Sequence, residues 1–349
     1  MLQISLSHIN AIVAATDAEA LYVPLQSAIE LEHSTIPLYF TAYISIKDGA
    51  SDAMNFIRNT LYAVFVEEML HMAIACNVLN AIGGQPQINK PDFIPQFPGP
   101  LPMVGNFEVH LAPLSEPQLE IFLDIEEPEK GPIHFPTFDV VGSTETRFAT
   151  FGQFYRALMT KITQLGEGIF KGDPARQVTS VHIPVFANKL SAVTSAAEAV
   201  AALQLIVDQG EGTRQSPLED GSDDLAHYYR FAQIAKGHKL VRNPDVAEGY
   251  SYSGDPIAIE PGSIEDMVSD PKLSQFAAGT PAYMAVNDFN AKYCQVLDQL
   301  QQVFDGSPDQ FGGVAMFAIK MLGQKVVAIT DPATGKKAAP SFEYVGVNT

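Results

Sequence analysis

Residues 67–71 are Glu-Glu-Met-Leu-His, and they interrupt a stretch, residues 53–82, that is otherwise apolar almost all round. Such a stretch predicts a helix buried on most sides, which ends at Gly83-Gly84. Glu68 and His71 stand at i and i+3 and therefore share one helix face. A carboxylate and an imidazole presented together in apolar surroundings predict metal ligation, with a buried hydrogen-bonded pair as the alternative.

A second carboxylate in an apolar setting lies in the preceding helical stretch, residues 17–46. The helical neighbours of Glu32 are mostly apolar: Ala28, Ile29, Thr35, Ile36 and Tyr39. An ionised carboxylate there must be paired, protonated or bound to a metal. Glu30 has polar helical neighbours instead, so we predict that Glu30 and His33 lie on a solvated face.

Two more acidic positions complete an ordered pattern along the chain. Glu211 follows the predicted helix 191–209, and Asp224-x-x-His227 opens the next predicted helix at 223–236. The order Glu, Glu-x-x-His, Glu, acid-x-x-His is that of four-helix bundles that hold two metal ions, with Asp in the last place. We predict five metal ligands: Glu32, Glu68, His71, Glu211 and His227.

Alternatives stay open at several of these positions. Glu211 in its Gly-Glu-Gly context is otherwise a solvated surface carboxylate, and His227 is otherwise a packed core histidine. Asp224 is either a ligand or the N-cap of its helix, a role that Asp favours. Glu67, four residues before His71, is either an alternative ligand or a hydrogen-bond partner of a ligand. Glu167, in a second Gly-Glu-Gly, is a reserve ligand.

Residues 28–37, 67–72 and 77–84 resemble the ferritin-like domain family related to the iminophenylpyruvate dimer synthases. The resemblance covers about residues 18–240. It also includes two shorter stretches: residues 209–212 and 226–231. The resemblance implies a ferritin-like four-helix bundle with a metal site. It further implies a role in secondary metabolism, often beside a flavin oxidase that generates an imine.

The remaining sequence predicts a mainly α protein in which this bundle carries additions. Between residues 85 and 138 prolines are so frequent that no long helix is expected, only extended pieces, a strand at 107–111 and a helical turn at 115–122. Two further helices are predicted at 281–304 and 311–329. We therefore divide the chain into two parts: a bundle at 1–240 with an insertion at about 85–140, and an extension at 241–349 whose two helices pack on the bundle.

Composition excludes several classes of protein. The chain has 349 residues and a formal net charge of −19, which disfavours binding to nucleic acid or to an anionic membrane. There is no secretory signal pattern and no stretch of 18 apolar residues. Two cysteines, Cys76 and Cys294, cannot form a disulfide framework. These features predict a cytoplasmic protein, with a homodimer as one option for its assembly.

Carboxylate and imidazole ligands suit Fe or Mn and also accept Zn, so we expect one or two such ions. The sequence therefore predicts a non-haem metal oxidoreductase or an imine-coupling enzyme that acts on a small organic molecule. The alternative is a non-enzymatic protein that binds or handles iron on a ferritin-like scaffold. A third reading is a half-site in which only Glu32, Glu68 and His71 bind metal.

Overall fold

The structure, a computed structural model, describes residues 4–105, 107–128, 150–212, 216–311 and 313–345, with the backbone alone for residues 211 and 313–317. The helices are α1 (Leu6–Ala14), α2 (Tyr22–Ile44), α3 (Asp52–Ala81), α4 (Glu116–Ile125), α5 (Phe151–Leu165), α6 (Ala196–Glu211), α7 (His227–Ala235), α8 (Pro281–Phe304) and α9 (Gly313–Val327). Two antiparallel strand pairs accompany them: β1 (Gly99–Pro100) with β2 (Glu108–Val109), and β3 (His238–Arg242) with β4 (Tyr250–Pro256). The prediction of a mainly α protein is confirmed.

Helices α2 and α3 pack along each other at the centre of the molecule. Helix α3 begins at an N-cap, Ser51, whose hydroxyl accepts a hydrogen bond from the Met54 amide. Among the described residues, α3 is the one helix long and apolar enough to cross a membrane, and 72 % of its apolar window is buried inside the protein. Most residues of α2 are buried too, because neighbouring elements cover both of its sides.

The two sides of the α2–α3 pair are covered by different parts of the chain. On one side α3 contacts α6 and α7, α6 packs along α5, and α4 contacts α7. On the other side α8 contacts α3, and α9 contacts both α2 and α8. One continuous hydrophobic core runs through both sides; Phe40 of α2, for example, lies 6.2 Å from Phe289 of α8. The predicted boundary at residue 240 stays a prediction.

The proline-rich insertion packs on the bundle with its apolar side chains. Ile88, Phe93 and Phe97 are buried in the main core. The predicted strand shortens to the two residues of β2, and the predicted helical turn extends to α4, which Ser115 caps by accepting the Gln118 amide. The last part of the predicted insertion, residues 129–140, lies outside the described residues.

The insertion and α8 overturn one prediction. We predicted a solvated face for Glu30 and His33, but His33 is only 3 % exposed. Its ring stacks on Phe93 at 4.4 Å, and its Nε2 lies 2.6 Å from the hydroxyl of Tyr293. Glu30 is half-buried and accepts a hydrogen bond from Gln26. The polar face of α2 is thus covered by elements distant in sequence, which helical periodicity cannot show.

Candidate metal centre

Five side chains converge between α2, α3, α7 and the end of α4. Glu32 comes from α2, Glu68 and His71 from α3, His227 from the first position of α7, and Glu126 follows α4 directly. His71 Nδ1 lies 3.5 Å from both Glu32 Oε2 and Glu68 Oε2. His227 Nδ1 lies 3.0 Å from Glu68 Oε1 and 3.6 Å from Glu126 Oε2. Two groups of donors result, and they share Glu68.

These distances fit the ligands of a common ion. Two donors bound at about 2.1 Å lie roughly 3.0 to 3.6 Å apart for angles of about 90° to 120° at the metal. All five side chains are at most 9 % exposed, so water does not solvate their charges. Glu68 Oε1 and His227 Nδ1 are buried and lack a hydrogen bond of good geometry among the described residues. A metal ion bound to these two atoms would supply the partner that each of them lacks.

The ring of His71 is held in one orientation by Gln209 of α6. The Gln209 side-chain amide donates hydrogen bonds to Glu67 Oε1 at 3.3 Å and to Glu219 Oε2 at 3.2 Å. Its carbonyl oxygen therefore faces His71 Nε2, at 3.1 Å, and accepts a hydrogen bond from that nitrogen. With the proton on Nε2, the lone pair of Nδ1 points at the carboxylates of Glu32 and Glu68.

The ring of His227 is held in the same way by Glu67. His227 Nε2 donates to Glu67 Oε2 at 3.1 Å, and Arg230 contacts the same oxygen at 2.7 Å. Burial raises the pKa of Glu67, but His227, Arg230 and Lys189 outweigh burial and lower that pKa to about 2. Glu67 is therefore ionised and fixes the second imidazole with Nδ1 toward the centre. Partners of this type are typical behind metal-bound histidines.

Each carboxylate of the cluster also accepts a hydrogen bond from one hydroxyl group. Tyr155 of α5 donates to Glu32, Thr35 donates to Glu68 at 3.2 Å, and Tyr39 donates to Glu126 at 2.5 Å. Burial, together with the nearby carboxylates, raises the pKa of both tyrosines well above the usual value. The hydroxyls therefore stay protonated and act as fixed donors.

The charges of the cluster balance only with added positive charge. Burial raises the pKa of Glu32 to about 7. Burial alone would lower the pKa of His71, but the Glu68 and Glu32 carboxylates outweigh it and raise that pKa to about 10. Burial alone would raise the pKa of Glu68, but the two imidazoles outweigh burial and lower that pKa. Without a metal, protons on the imidazoles supply the positive charge; a bound cation would displace them.

A small cavity of about 50 Å³ adjoins the cluster. Its walls combine site residues with apolar side chains from α4, α5 and α6: Ile125, Phe151, Ile206 and Val207. A water molecule needs about 10 to 15 Å³ measured in this way, so the cavity has room for ions and a few waters.

The structure brings together four of the five predicted ligands: Glu32, Glu68, His71 and His227. The side chain of the fifth, Glu211, lies outside the described residues, and its ligand role stays a prediction. Asp224 is exposed and bonded to Ser222, before α7 and away from the cluster, so it neither caps the helix nor reaches the site. Glu67 lies behind His227, and Glu167 accepts the Ala196 amide at the start of α6.

Glu126 is the carboxylate that sequence analysis missed. It lies inside the proline-rich insertion, where we named no candidate ligand. One signal was present: Asp124, Glu126 and Glu127 crowd the end of an apolar helical turn. Acidic residues at a helix C-terminus are disfavoured by the helix dipole, so a carboxylate there needs a compensating charge.

Comparison with known proteins identifies the family of this fold. The family model described as Ferritin-like matches residues 25–236, more than half of the chain. The chain belongs to the ferritin-like family. The resemblance inferred from the residues around Glu32 and His71 is thus confirmed, and so is the ferritin-like fold.

One relative of known name and one solved structure are similar to this ferritin-like chain. It is 22 % identical over 330 residues to dichlorochromopyrrolate synthase of Lentzea aerocolonigenes, with 85 % of this chain and 30 % of that protein covered. The chain thus spans less than a third of the length of this relative. A crystal structure of a ferritin-like protein from Caulobacter vibrioides matches with a TM-score of 0.59 and 25 % identity, covering 93 % of this chain and 97 % of the other.

Proposed function

We propose that this ferritin-like protein is a metal-dependent enzyme that acts on a small organic molecule. The observation that carries the proposal is the orientation of His71 and His227. Both imidazoles are held from behind with Nδ1 toward buried carboxylates, so either a proton on Nδ1 or a metal ion must lie between each ring and the carboxylates.

The donor set favours iron, with manganese or zinc as alternatives. Carboxylate and imidazole ligands suit these metals, and two donor groups that share Glu68 support two ions. Glu32, Glu68 and His71 would hold one ion, and Glu68, Glu126 and His227 the other. When bound with open positions, such ions supply redox or Lewis-acid chemistry.

The chain itself contributes fixed geometry and controlled protonation. Tyr155 and Tyr39 bond one oxygen each of Glu32 and Glu126, so these two carboxylates present their other oxygen to the centre. Thr35 bonds Glu68 Oε2, the oxygen that also faces His71. The apolar walls of the adjoining cavity limit water, which strengthens every charge interaction inside it. The Tyr39 and Tyr155 hydroxyls stay protonated, because burial raises their pKa well above the usual value.

The reaction we propose is an oxidation in secondary metabolism, and dichlorochromopyrrolate synthase among the relatives supports this class. In one form two imine-bearing molecules couple: a carbon–carbon bond forms, two C–H bonds break, and dioxygen takes up two electrons and two protons to give hydrogen peroxide. A simple two-electron oxidation of one molecule by dioxygen is the other form. We also propose a reducing, cytoplasmic setting, because Cys76 and Cys294 are buried free thiols.

One observation favours a second candidate function, metal handling without catalysis. The cavity beside the cluster holds only about 50 Å³, less than an organic substrate requires. A protein of that kind would bind iron at the same residues but would not consume dioxygen with any organic molecule.

Metal analysis and oxygen uptake test these proposals together. We expect purified protein to contain close to two ions of Fe, Mn or Zn per chain, and we expect Glu68→Gln to lower the metal affinity more than about 100-fold. Glu30→Gln is the matched control, because Glu30 lies on α2 outside the cluster. Protein that takes up none of these metals in titration contradicts both functions. Protein that binds iron but consumes no dioxygen with any imine or aromatic amino-acid derivative supports handling over catalysis.

A further inference from the structure

A second, larger cavity lies on the other side of the α2–α3 pair. It holds about 370 Å³ and is bounded by α2 and α3 on one side and by α8 and α9 on the other. Each site residue on α2 and α3 is followed in sequence by a residue of this cavity wall. Successive helical residues point about 100° apart, so the two sites share helices without sharing side chains. The cavity wall includes these residues: His33, Phe65, Met69, Met72, Tyr293 and Leu297.

The wall of this cavity is almost entirely apolar. Aromatic and aliphatic side chains dominate it, and His33 Nε2 and the Tyr293 hydroxyl bond to each other at 2.6 Å. His33 Nδ1 is buried and has no hydrogen-bond partner among the described residues. The volume lies within the range of about 300 to 1,000 Å³ that is typical of small-molecule sites. An apolar space of this size is poorly filled by water, so it suits an apolar occupant.

The cavity reaches solvent beside a lysine. Val185 and Tyr62, both in the wall, are 72 % and 42 % exposed. Lys320 of α9 also lines the cavity, and its ammonium lies over the rings of Tyr62 at 4.6 Å and Tyr43 at 5.3 Å. Within the described part of the chain, no carboxylate pairs with Lys320. An uncompensated ammonium at the mouth of an apolar cavity is notable in a chain of net charge −19.

We propose that this cavity binds a small organic acid: an apolar body fills the space between α3 and α8, and a single anionic group pairs with Lys320 at the mouth. The apolar wall favours the body, and the free ammonium favours an anion over a neutral or cationic head group. This site is separate from the metal centre and does not depend on the function proposed for it.

Two fluorescent probes with the same body separate the two parts of the proposal. The first is 1-anilinonaphthalene-8-sulfonate, which carries one anionic group, and the second is N-phenyl-1-naphthylamine, which carries none. We expect both to bind at one saturable site per chain. Lys320→Gln should weaken sulfonate binding about fivefold, the effect of one partly exposed ion pair, and leave binding of the neutral probe unchanged.

Lys325→Gln is the matched control, because Lys325 is an exposed residue of the same helix. It should change binding of neither probe. A blocking variant, Leu300→Trp, adds bulk at a half-buried wall position and should weaken both probes at least about tenfold, with circular dichroism confirming the fold.

Two outcomes would overturn the proposal. One is equal loss of sulfonate binding in Lys320→Gln and Lys325→Gln, which would indicate general surface attraction. The other is a concentration-dependent dimer in sedimentation that excludes both probes, which would make this face an interface between two copies of the chain.

Discussion

The two sides of the α2–α3 pair show how one pair of helices supports opposite chemistry. Toward α6 and α7, a cluster of three carboxylates and two imidazoles adjoins a cavity of about 50 Å³. Toward α8 and α9, apolar side chains surround about 370 Å³. The residues alternate in sequence: Glu32 precedes His33, and His71 precedes Met72. Helix α2 therefore has almost no solvent-facing side, and the element packed on each face decides what that face does.

The strongest test of this separation is Glu68→Gln, which changes the one carboxylate shared by both donor groups. We expect metal affinity to fall by more than about 100-fold, because loss of even an outer partner of a ligand costs about 10- to 100-fold. Binding of N-phenyl-1-naphthylamine in the apolar cavity should not change. Metal titration and probe fluorescence on the same sample measure both. A parallel loss of probe binding would show that the two sides are one coupled unit.

Glu126→Gln tests only one of the two predicted ion sites of the metal centre, because Glu126 belongs to only one of the two donor groups. We expect the number of bound ions to drop from two to one, with the site at Glu32, Glu68 and His71 retained. Glu211→Gln is the comparison variant, since sequence order assigned the third carboxylate to Glu211. Elemental analysis decides between them: loss of one ion in Glu211→Gln but not in Glu126→Gln would reverse the assignment made from the structure.

Gln209→Leu tests whether the fixed ring of His71 matters. The substitution removes the acceptor behind His71 Nε2 while leaving every donor of the cluster in place. We expect metal affinity to fall about 10- to 100-fold, with the ion count unchanged at saturating metal. Gln204→Leu, on the same helix and bonded only to Asp208 among the described residues, should leave the affinity unchanged. Equal affinities in both variants would remove Gln209 from the description of the centre.

His33→Gln tests the apolar side of the α2–α3 pair through the pH dependence of the free energy of unfolding. Burial lowers the pKa of His33 to about 3, whereas an unfolded histidine titrates near 6.5. The unfolded chain therefore binds a proton that the folded chain does not bind. The free energy of unfolding falls as pH falls from about 6.5 toward 3. Between pH 7 and pH 5 this costs about 2 kcal/mol in the natural chain. Urea unfolding at both pH values should show a smaller loss in the variant; an equal loss would place the burial of His33 in doubt.

Helix periodicity and residue spacing predicted most of the fold and the majority of the site. Glu32, Glu68 and His71 were found because charged groups at apolar positions are visible in one helix at a time. His227 was found by its order along the chain, although its helix is shorter than predicted, since residues 218 and 225 form a bridge before it begins.

What could not be predicted depends on contacts between distant segments. Glu126 reaches the centre only because α4 packs against α7, a contact that no local pattern specifies. His33 was assigned to solvent because its own helix is polar around it, whereas Phe93 and Tyr293 cover it from 60 residues or more away in sequence. The strand pair β3–β4 was missed as well, in a stretch whose glycines and prolines favour loops.

The alternation of residues along α2 also limits how this helix can change in length. One residue inserted between Tyr22 and Glu32 would turn the first part of the helix about 100° relative to the rest. Side chains that now pack in the core, such as Leu25 and Ala28, would then lose their present contacts. An insertion of about seven residues, close to two full turns, would restore the rotational orientation of the two parts of the helix relative to each other. Length changes in this helix are therefore expected in steps of whole turns, and single-residue changes are expected only in the loops that join it to its neighbours.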